Sequence, residues 1–215
     1  METQKKQIDL EAMVDIESLD TVELAVVFQI SMVIFSPTEE VPDLYMNFYL
    51  DIDEQLDNGR TTSKSTLEFW NSPENKPMLD KAISIINESE VRSNHSMHAT
   101  AFTIAENINT INRIYGYSNV NFNIVAWWSR GNFDFPILNN LFRQVNMPVP
   151  WSKHCTIKEL RTLAYELGVP KVESEVPHNG IHDCKAQIKT LKQCRAKIAR
   201  WKAMETSVLG KEVDK

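Results

Sequence analysis

Three apolar segments follow one another at the start of this chain, and their order constrains the fold more than any other feature. Residues 9–17, D-L-E-A-M-V-D-I-E, read as a short strand. Residues 22–35, V-E-L-A-V-V-F-Q-I-S-M-V-I-F, are rich in β-branched and aromatic side chains and predict a second. Turn residues S-P-T-E-E-V-P at 36–42 lead into L-Y-M-N-F-Y-L, Leu44 to Leu50, whose alternation predicts a third. Three consecutive strands imply an antiparallel meander.

The remainder alternates helices with one more strand. Residues 51–77 are polar and irregular, with Ser65 or Thr66 placed to cap a short helix through L-E-F-W. Pro77 opens a helix over about 77–88, and a stripe of Ala101, Ile104, Ala105, Ile108 and Ile111 predicts a longer one over about 97–114. N-F-N-I-V-A-W-W (121–128) reads as a strand buried on both faces. Helices are predicted over 135–145, with Asp134 at the start, and over 156–168. The second has Thr156 and Glu159 as a capping box and Gly168 as its stop. A last helix runs from near His182 to about Met204. This order predicts an α/β fold: a mixed sheet with an N-terminal antiparallel meander, flanked by helices and compatible with a ribonuclease-H-like arrangement. The 215 residues fit one domain with its core over about 8–200, leaving 201–215 as a frayed or flexible tail.

Composition narrows the class. Hydrophobic content of 42% beside 24% charged residues is an ordinary globular balance. Apolar runs are broken well before 18 positions, so no membrane span is expected, and the start carries no signal-peptide h-region. Cys155, Cys184 and Cys194 lack metal-finger spacing and read as reduced thiols of a cytoplasmic protein. The net charge of −6 is uneven. Residues 185–215 carry nine basic and three acidic side chains, so the rest sums to −12. Such a body is no general nucleic-acid coat. It still allows an enzyme that handles a nucleic-acid end through bound cations, which reverse the local field. The basic last helix is either a solvated face, a support for a longer strand, or a surface for self-association.

On a strand, Asp15 and Glu17 point the same way, and Val14 and Ile16 point the other way into the core. Two like charges side by side repel. No Lys or Arg occurs from position 7 to 22, so a divalent cation is the natural compensation; the alternative is two solvated acids on an edge strand. Asp134 follows a buried strand and a Gly-containing turn, where open α/β sheets gather ligands, or it is an ordinary helix N-terminal Asp. In P-H-N-G-I-H-D, His178 lies in a Pro/Asn/Gly-rich loop and Asp183 opens the last helix. A zinc pair of His178 and His182 is disfavoured because Asn179-Gly180 interrupts a helix between them. Four carboxylates and one histidine favour Mg²⁺ or Mn²⁺. Two such ions about 3.5–4 Å apart form the usual clamp for phosphodiester hydrolysis, with His178 placed to take the proton from water.

With these residues in view, the chain resembles the DEDDh 3′–5′ exonucleases of the ribonuclease-H-like superfamily. D-I-E at Asp15 and Glu17, G-N-F-D at Asp134, and H-N-G-I-H-D at His178 and Asp183 match that family's D-x-E, D and H-x(4)-D. Within the family it looks most like the phage exonuclease A type and a related bacterial exoribonuclease-like domain, on G-R-T-T-S-K-S-T-L-E-F-W, F-D-F-P-I-L and C-T-I-K-E-L-R-T-L. The resemblance implies that Asp15, Glu17, Asp134 and Asp183 hold two Mg²⁺ or Mn²⁺ ions and that His178 is the general base. It implies a substrate of single-stranded DNA or RNA with a free 3′ end, cut to nucleoside 5′-monophosphates. The chain departs from many relatives at Gly180, where they have Ala, and at His182, where they have an acid. Gly180 is expected to make the His178 loop more mobile.

Substrate contacts follow from the same resemblance. Ile16, Ser18 and Leu19 would face the terminal nucleotide, with Leu19 as a wedge. Phe69, Trp70 or Phe133 would stack on bases, and Arg60, Lys64 or Arg130 would meet phosphates. At least one of Trp127 and Trp128 is expected to be structural, and Asp20 reads as a turn residue. A catalytically silent binding module and a phosphoesterase for short oligonucleotides are the competing readings.

Overall fold

The computed structural model describes residues 5–151 and 157–212, with side chains described to residue 206. The meander forms as expected: β1 (Lys6–Ser18) pairs antiparallel with β2 (Val27–Phe35), and β2 with β3 (Leu44–Tyr49). β4 (Val120–Ser129) then adds parallel to the other edge of β1, and the short β5 (Ile157–Glu159) adds parallel to β4. The sheet order is β3-β2-β1-β4-β5, which places β1 at the centre. This is a mixed, helix-flanked α/β sheet of ribonuclease-H-like architecture.

Helices α1 (Ile52–Asp57), α2 (Lys64–Trp70), α3 (Lys76–Asn87), α4 (Met97–Asn109), α5 (Ile111–Tyr115), α6 (Asp134–Gln144), α7 (Leu160–Glu166) and α8 (Gly180–Glu212) accompany the sheet, and both its faces are covered. One face carries Ala12, Val14 and Ile16 of β1 in a large core with Ala101 and Ile104 of α4 (Met97–Asn109) and Leu138 and Phe142 of α6 (Asp134–Gln144). The other face carries Met13, Val33 and Trp128 against Leu160 and Ala164 of α7 (Leu160–Glu166) and Cys184, Ile188 and Leu191 of α8 (Gly180–Glu212). Alternation along β1 therefore turns Asp15 and Glu17 toward the α8 face.

Several local expectations change. The segment expected to be irregular holds a helix over Ile52–Asp57, capped by the Asp51 carboxylate, and a second over Lys64–Trp70, capped by Ser63 rather than Ser65 or Thr66. The helix at Pro77 spans Lys76–Asn87. The stripe over 97–114 is split at Thr110 into α4 and a short helix, Ile111–Tyr115. Only the end of β4 is buried on both faces; Asn121 and Asn123 alternate outward, while Phe122 between them packs on Tyr115 of the helix Ile111–Tyr115. The helix expected from 156 begins at Leu160, since the preceding residues join the sheet as β5. Glu159 is itself its N-cap, accepting from Arg161 and Thr162 N–H; Thr156 lies outside the described residues. Gly168 ends the turn with φ +57°, as expected of a helix stop. The final helix starts at Gly180 and continues to Glu212, through most of the segment expected as a tail.

Candidate active site

Three chain segments converge at the C-terminal end of β1: β1 itself, the β4-to-α6 turn and the start of α8. Carboxylate oxygens of Asp15, Glu17 and Asp183 all lie within 4.8 Å of one another. Asp134, 3% exposed at the head of α6, comes beside them, and its Oδ1 accepts the Ile16 N–H at 3.4 Å. The turn is tied by the Ser129 hydroxyl, which donates to Gly131 O at 2.7 Å. All four acids and His178 line one cavity of about 430 Å³, together with Arg130 and Phe133.

Burial shapes the electrostatics. It pushes the Asp15 and Glu17 carboxyls well above the ordinary range, with the neighbouring acids adding to the rise. Burial also lifts Asp134 to about 6, against the lowering effect of the backbone N–H groups it accepts from. The cluster therefore resists carrying its full negative charge alone. An all-oxygen donor set of this kind fits a hard divalent cation such as Mg²⁺ or Mn²⁺.

His178 closes one side. Its backbone φ is +60°, outside α8, so His178 and His182 do not share a helical face. Its Nδ1 stands 4.0 Å from Glu17 Oε1, and its ring meets Phe69 and Trp70 edge-on, at centroid distances of 5.1 and 5.5 Å. His182 instead stands 3.8 Å from Glu175. Beyond His178 opens a second cavity of about 340 Å³, where Ser18, Phe69, Trp70 and Phe133 meet Ile16 and Glu17.

Other predicted contacts are placed differently. Trp70 is 2% exposed; its indole N–H donates to Ser18 O and its ring packs on Phe28, so only an edge reaches the second cavity. Phe69, at 44% exposure, is the accessible ring there. Leu19 is not a wedge but core, packed with Phe28 and Trp70. Arg60 is not at a phosphate: it is buried, with Nε donating to Ala25 O at 2.8 Å and Nη1 to Gln144 Oε1 at 2.7 Å. Lys64 is fully on the surface, 3.8 Å from Glu68. Trp127 and Trp128 are both buried, Trp128 donating to Glu11 at 2.9 Å. Asp20 does serve the turn, accepting from Thr21 N–H and the Thr61 hydroxyl.

Sequence reasoning missed the polar floor beneath the acids. Ser31 and Gln29 of β2 lie directly opposite Asp15 and Glu17 in the antiparallel register, and both bond to Asn47 of β3. The signal was available: two polar residues two apart inside an apolar strand share one face. Gln187, four residues after Asp183 on α8, was also missed; its Nε2 donates to Asp15 Oδ1 at 2.7 Å. Gly180, expected to loosen the His178 loop, also has a packing role. A Cβ at that position would lie 2.6 Å from Ser31 Cβ, so the glycine lets α8 seat on β2.

A central D-x-E strand, an acid at the head of α6 and an acid on the closing helix define a ribonuclease-H-like exonuclease fold. A family model described as "3'-5' exoribonuclease Rv2179c-like domain" matches residues 10–195, and the chain belongs to that family. No curated protein sequence matches it. Among solved structures, it is similar to E. coli exonuclease I in complex with a dT13 oligonucleotide, with TM-score 0.54 and 13% identity over 91% of this chain and 43% of that one. A product-bound exonuclease I gives TM-score 0.55 and 14% identity over 90% and 45%. The chain thus spans less than half the length of these exonucleases, and at this identity the likeness is one of fold.

Proposed function

We propose that this chain is a metal-dependent 3′–5′ exonuclease that removes nucleoside 5′-monophosphates from single-stranded RNA or DNA. The observation that carries the reading is the meeting of Asp15, Glu17 and Asp183 within 4.8 Å, in one cavity with Asp134 and His178. Buried acids that raise one another's proton affinity are poorly suited to stability alone and well suited to a shared cation. The family description supports a 3′ end of RNA, and the phage exonuclease A resemblance is compatible with it. We also infer a single domain working in the cytoplasm; among the described residues no helix is long and apolar enough to cross a membrane.

Asp15, Glu17, Asp134 and Asp183 would hold two Mg²⁺ or Mn²⁺ ions. Bound there, divalent cations lower the pKa of a water and stabilise the departing oxygen. His178, partly exposed at the cavity mouth, would accept the proton from that water. A bond forms between the water oxygen and phosphorus, the bond from phosphorus to the 3′ oxygen of the preceding nucleotide breaks, and that oxygen takes up a proton. Ile16, Ser18, Phe69 and Phe133 would receive the terminal nucleoside in the second cavity. Arg130, on the turn before Asp134, faces the first cavity and would meet phosphate.

The test is a degradation assay on 5′-labelled single-stranded RNA and DNA of matched sequence, with Mg²⁺ or Mn²⁺, and with a 3′-blocked control. Stepwise shortening from the 3′ end is expected, abolished by chelator, by the block and by Asp15→Ala. Internal cuts, or no cleavage of either strand, would overturn the proposal. The RNA and DNA arms give the sugar preference.

A further inference from the structure

We propose that Gln187 is a positioning residue for the candidate cation site: it fixes the rotamer of Asp15 so that the carboxylate faces the other ligands. This rests on the metal-site reading above.

Gln187 is 7% exposed, and its Nε2 donates to Asp15 Oδ1 at 2.7 Å. It is the one side-chain donor that reaches this carboxylate among the described residues. It stands one helical turn after Asp183, so α8 supplies a ligand and the brace of a second ligand from the same face. The other end of the amide argues that the residue is not kept for packing. Gln187 Oε1 is buried with no hydrogen-bond partner among the described residues. A leucine would fill nearly the same volume without stranding a polar atom, so a glutamine here costs stability that its bond to Asp15 must justify. Holding one oxygen of a carboxylate leaves the other directed at a cation. Groups that orient ligands in this way typically change metal affinity when removed.

The experiment compares the full chain with Gln187→Leu and Gln187→Glu, titrating Mn²⁺ by calorimetry and measuring melting temperature in chelator. Gln187→Leu is expected to weaken Mn²⁺ binding about tenfold, while melting in chelator at or above the parent's temperature. Gln187→Glu keeps the shape but replaces the donor with an acceptor, so it should not restore parental affinity at the Asp15 oxygen. Mn²⁺ affinity of Gln187→Leu within twofold of the parent overturns the proposal. So does a lower melting temperature in chelator with parental affinity, which marks a purely structural residue. Absence of Mn²⁺ uptake by the parent overturns the metal-site reading, and this inference with it. Uptake by the parent that is lost in Asp15→Asn keeps that reading standing whatever Gln187 does.

Discussion

Gly180 rests directly on Ser31: a Cβ added at Gly180 would lie 2.6 Å from Ser31 Cβ and closer still to its hydroxyl. Ser31 is the cross-strand partner of Asp15, so this contact sets how near the start of α8, and with it Asp183, comes to the acids of β1. Gly180→Ala is therefore expected to destabilise the protein by about 1–3 kcal/mol, the usual cost of overpacking. It should also weaken Mn²⁺ binding. Adding Ser31→Gly should recover part of the loss in denaturant melts. A Gly180→Ala chain as stable as the parent would show that α8 seats elsewhere.

The acids predict an inverted pH dependence in the absence of cation. Asp134 is raised from 3.8 to about 6 by burial, so the folded chain binds its proton more tightly than the unfolded chain does. Its contribution to stability is present below about pH 4 and is lost as pH rises through about 6. At about 1.4 kcal/mol per unit, the swing is on the order of 3 kcal/mol. Thermal melts in chelator at pH 4 and pH 8 should show a smaller decline for Asp134→Asn than for the parent. Parallel curves would mean that Asp134 is not an uncompensated buried acid.

Repulsion within the cluster gives a companion test at constant pH. Asp15→Asn removes one charge while keeping an oxygen that can accept from Gln187. In chelator at pH 8 it should melt above the parent, each kcal/mol of relief appearing as roughly 2–4 °C for a chain of this size. The gain should shrink as pH falls, because burial and the neighbouring acids raise the proton affinity of the Asp15 carboxyl. With saturating Mn²⁺ the order should reverse, since the parent alone gains binding energy.

The His178 ring meets the edges of Phe69 and Trp70 and stands 4.0 Å from Glu17, at the mouth of the cavity where it is proposed to act as general base. His178→Ala is expected to lower the rate of 3′-end hydrolysis by roughly 10²–10⁴-fold, as loss of a general base does. Mn²⁺ affinity should stay near the parent's. A rate within twofold of the parent removes His178 from that role.

Arg60 separates a structural cation from a substrate contact. Its guanidinium bonds Ala25 O and Gln144, and burial lowers its pKa to about 10. Arg60→Met should cost about 2 kcal/mol by stranding these acceptors, with KM for an oligonucleotide unchanged well below the melting temperature. A tenfold rise in KM at parental stability would restore Arg60 to the phosphates.

Most of the site was legible because its chemistry is carried by spacing along single elements. Asp15 and Glu17 are two apart on a strand, Asp134 stands at a strand-to-helix turn, and His178 precedes Asp183 by a loop and one helical turn. Substrate contacts were less legible. Trp70, Leu19 and Arg60 have side chains that suit a nucleotide site or a protein interior equally well. Which one they serve depends on neighbours far away in sequence, such as Phe28 for Trp70 and Gln144 for Arg60.

The sequence by itself determined the meander, most of the helices and the five residues proposed for catalysis, because periodicity, turns and caps act over a few residues. Only the tertiary structure decided that β5 replaces the first turn of the helix expected from 156 and that Gly180 packs on Ser31. It also brought Gln187, 172 positions from Asp15, to hold that carboxylate. Those outcomes depend on how sheet and helices approach in space, and the packing of one element on another is written in no single segment of the chain.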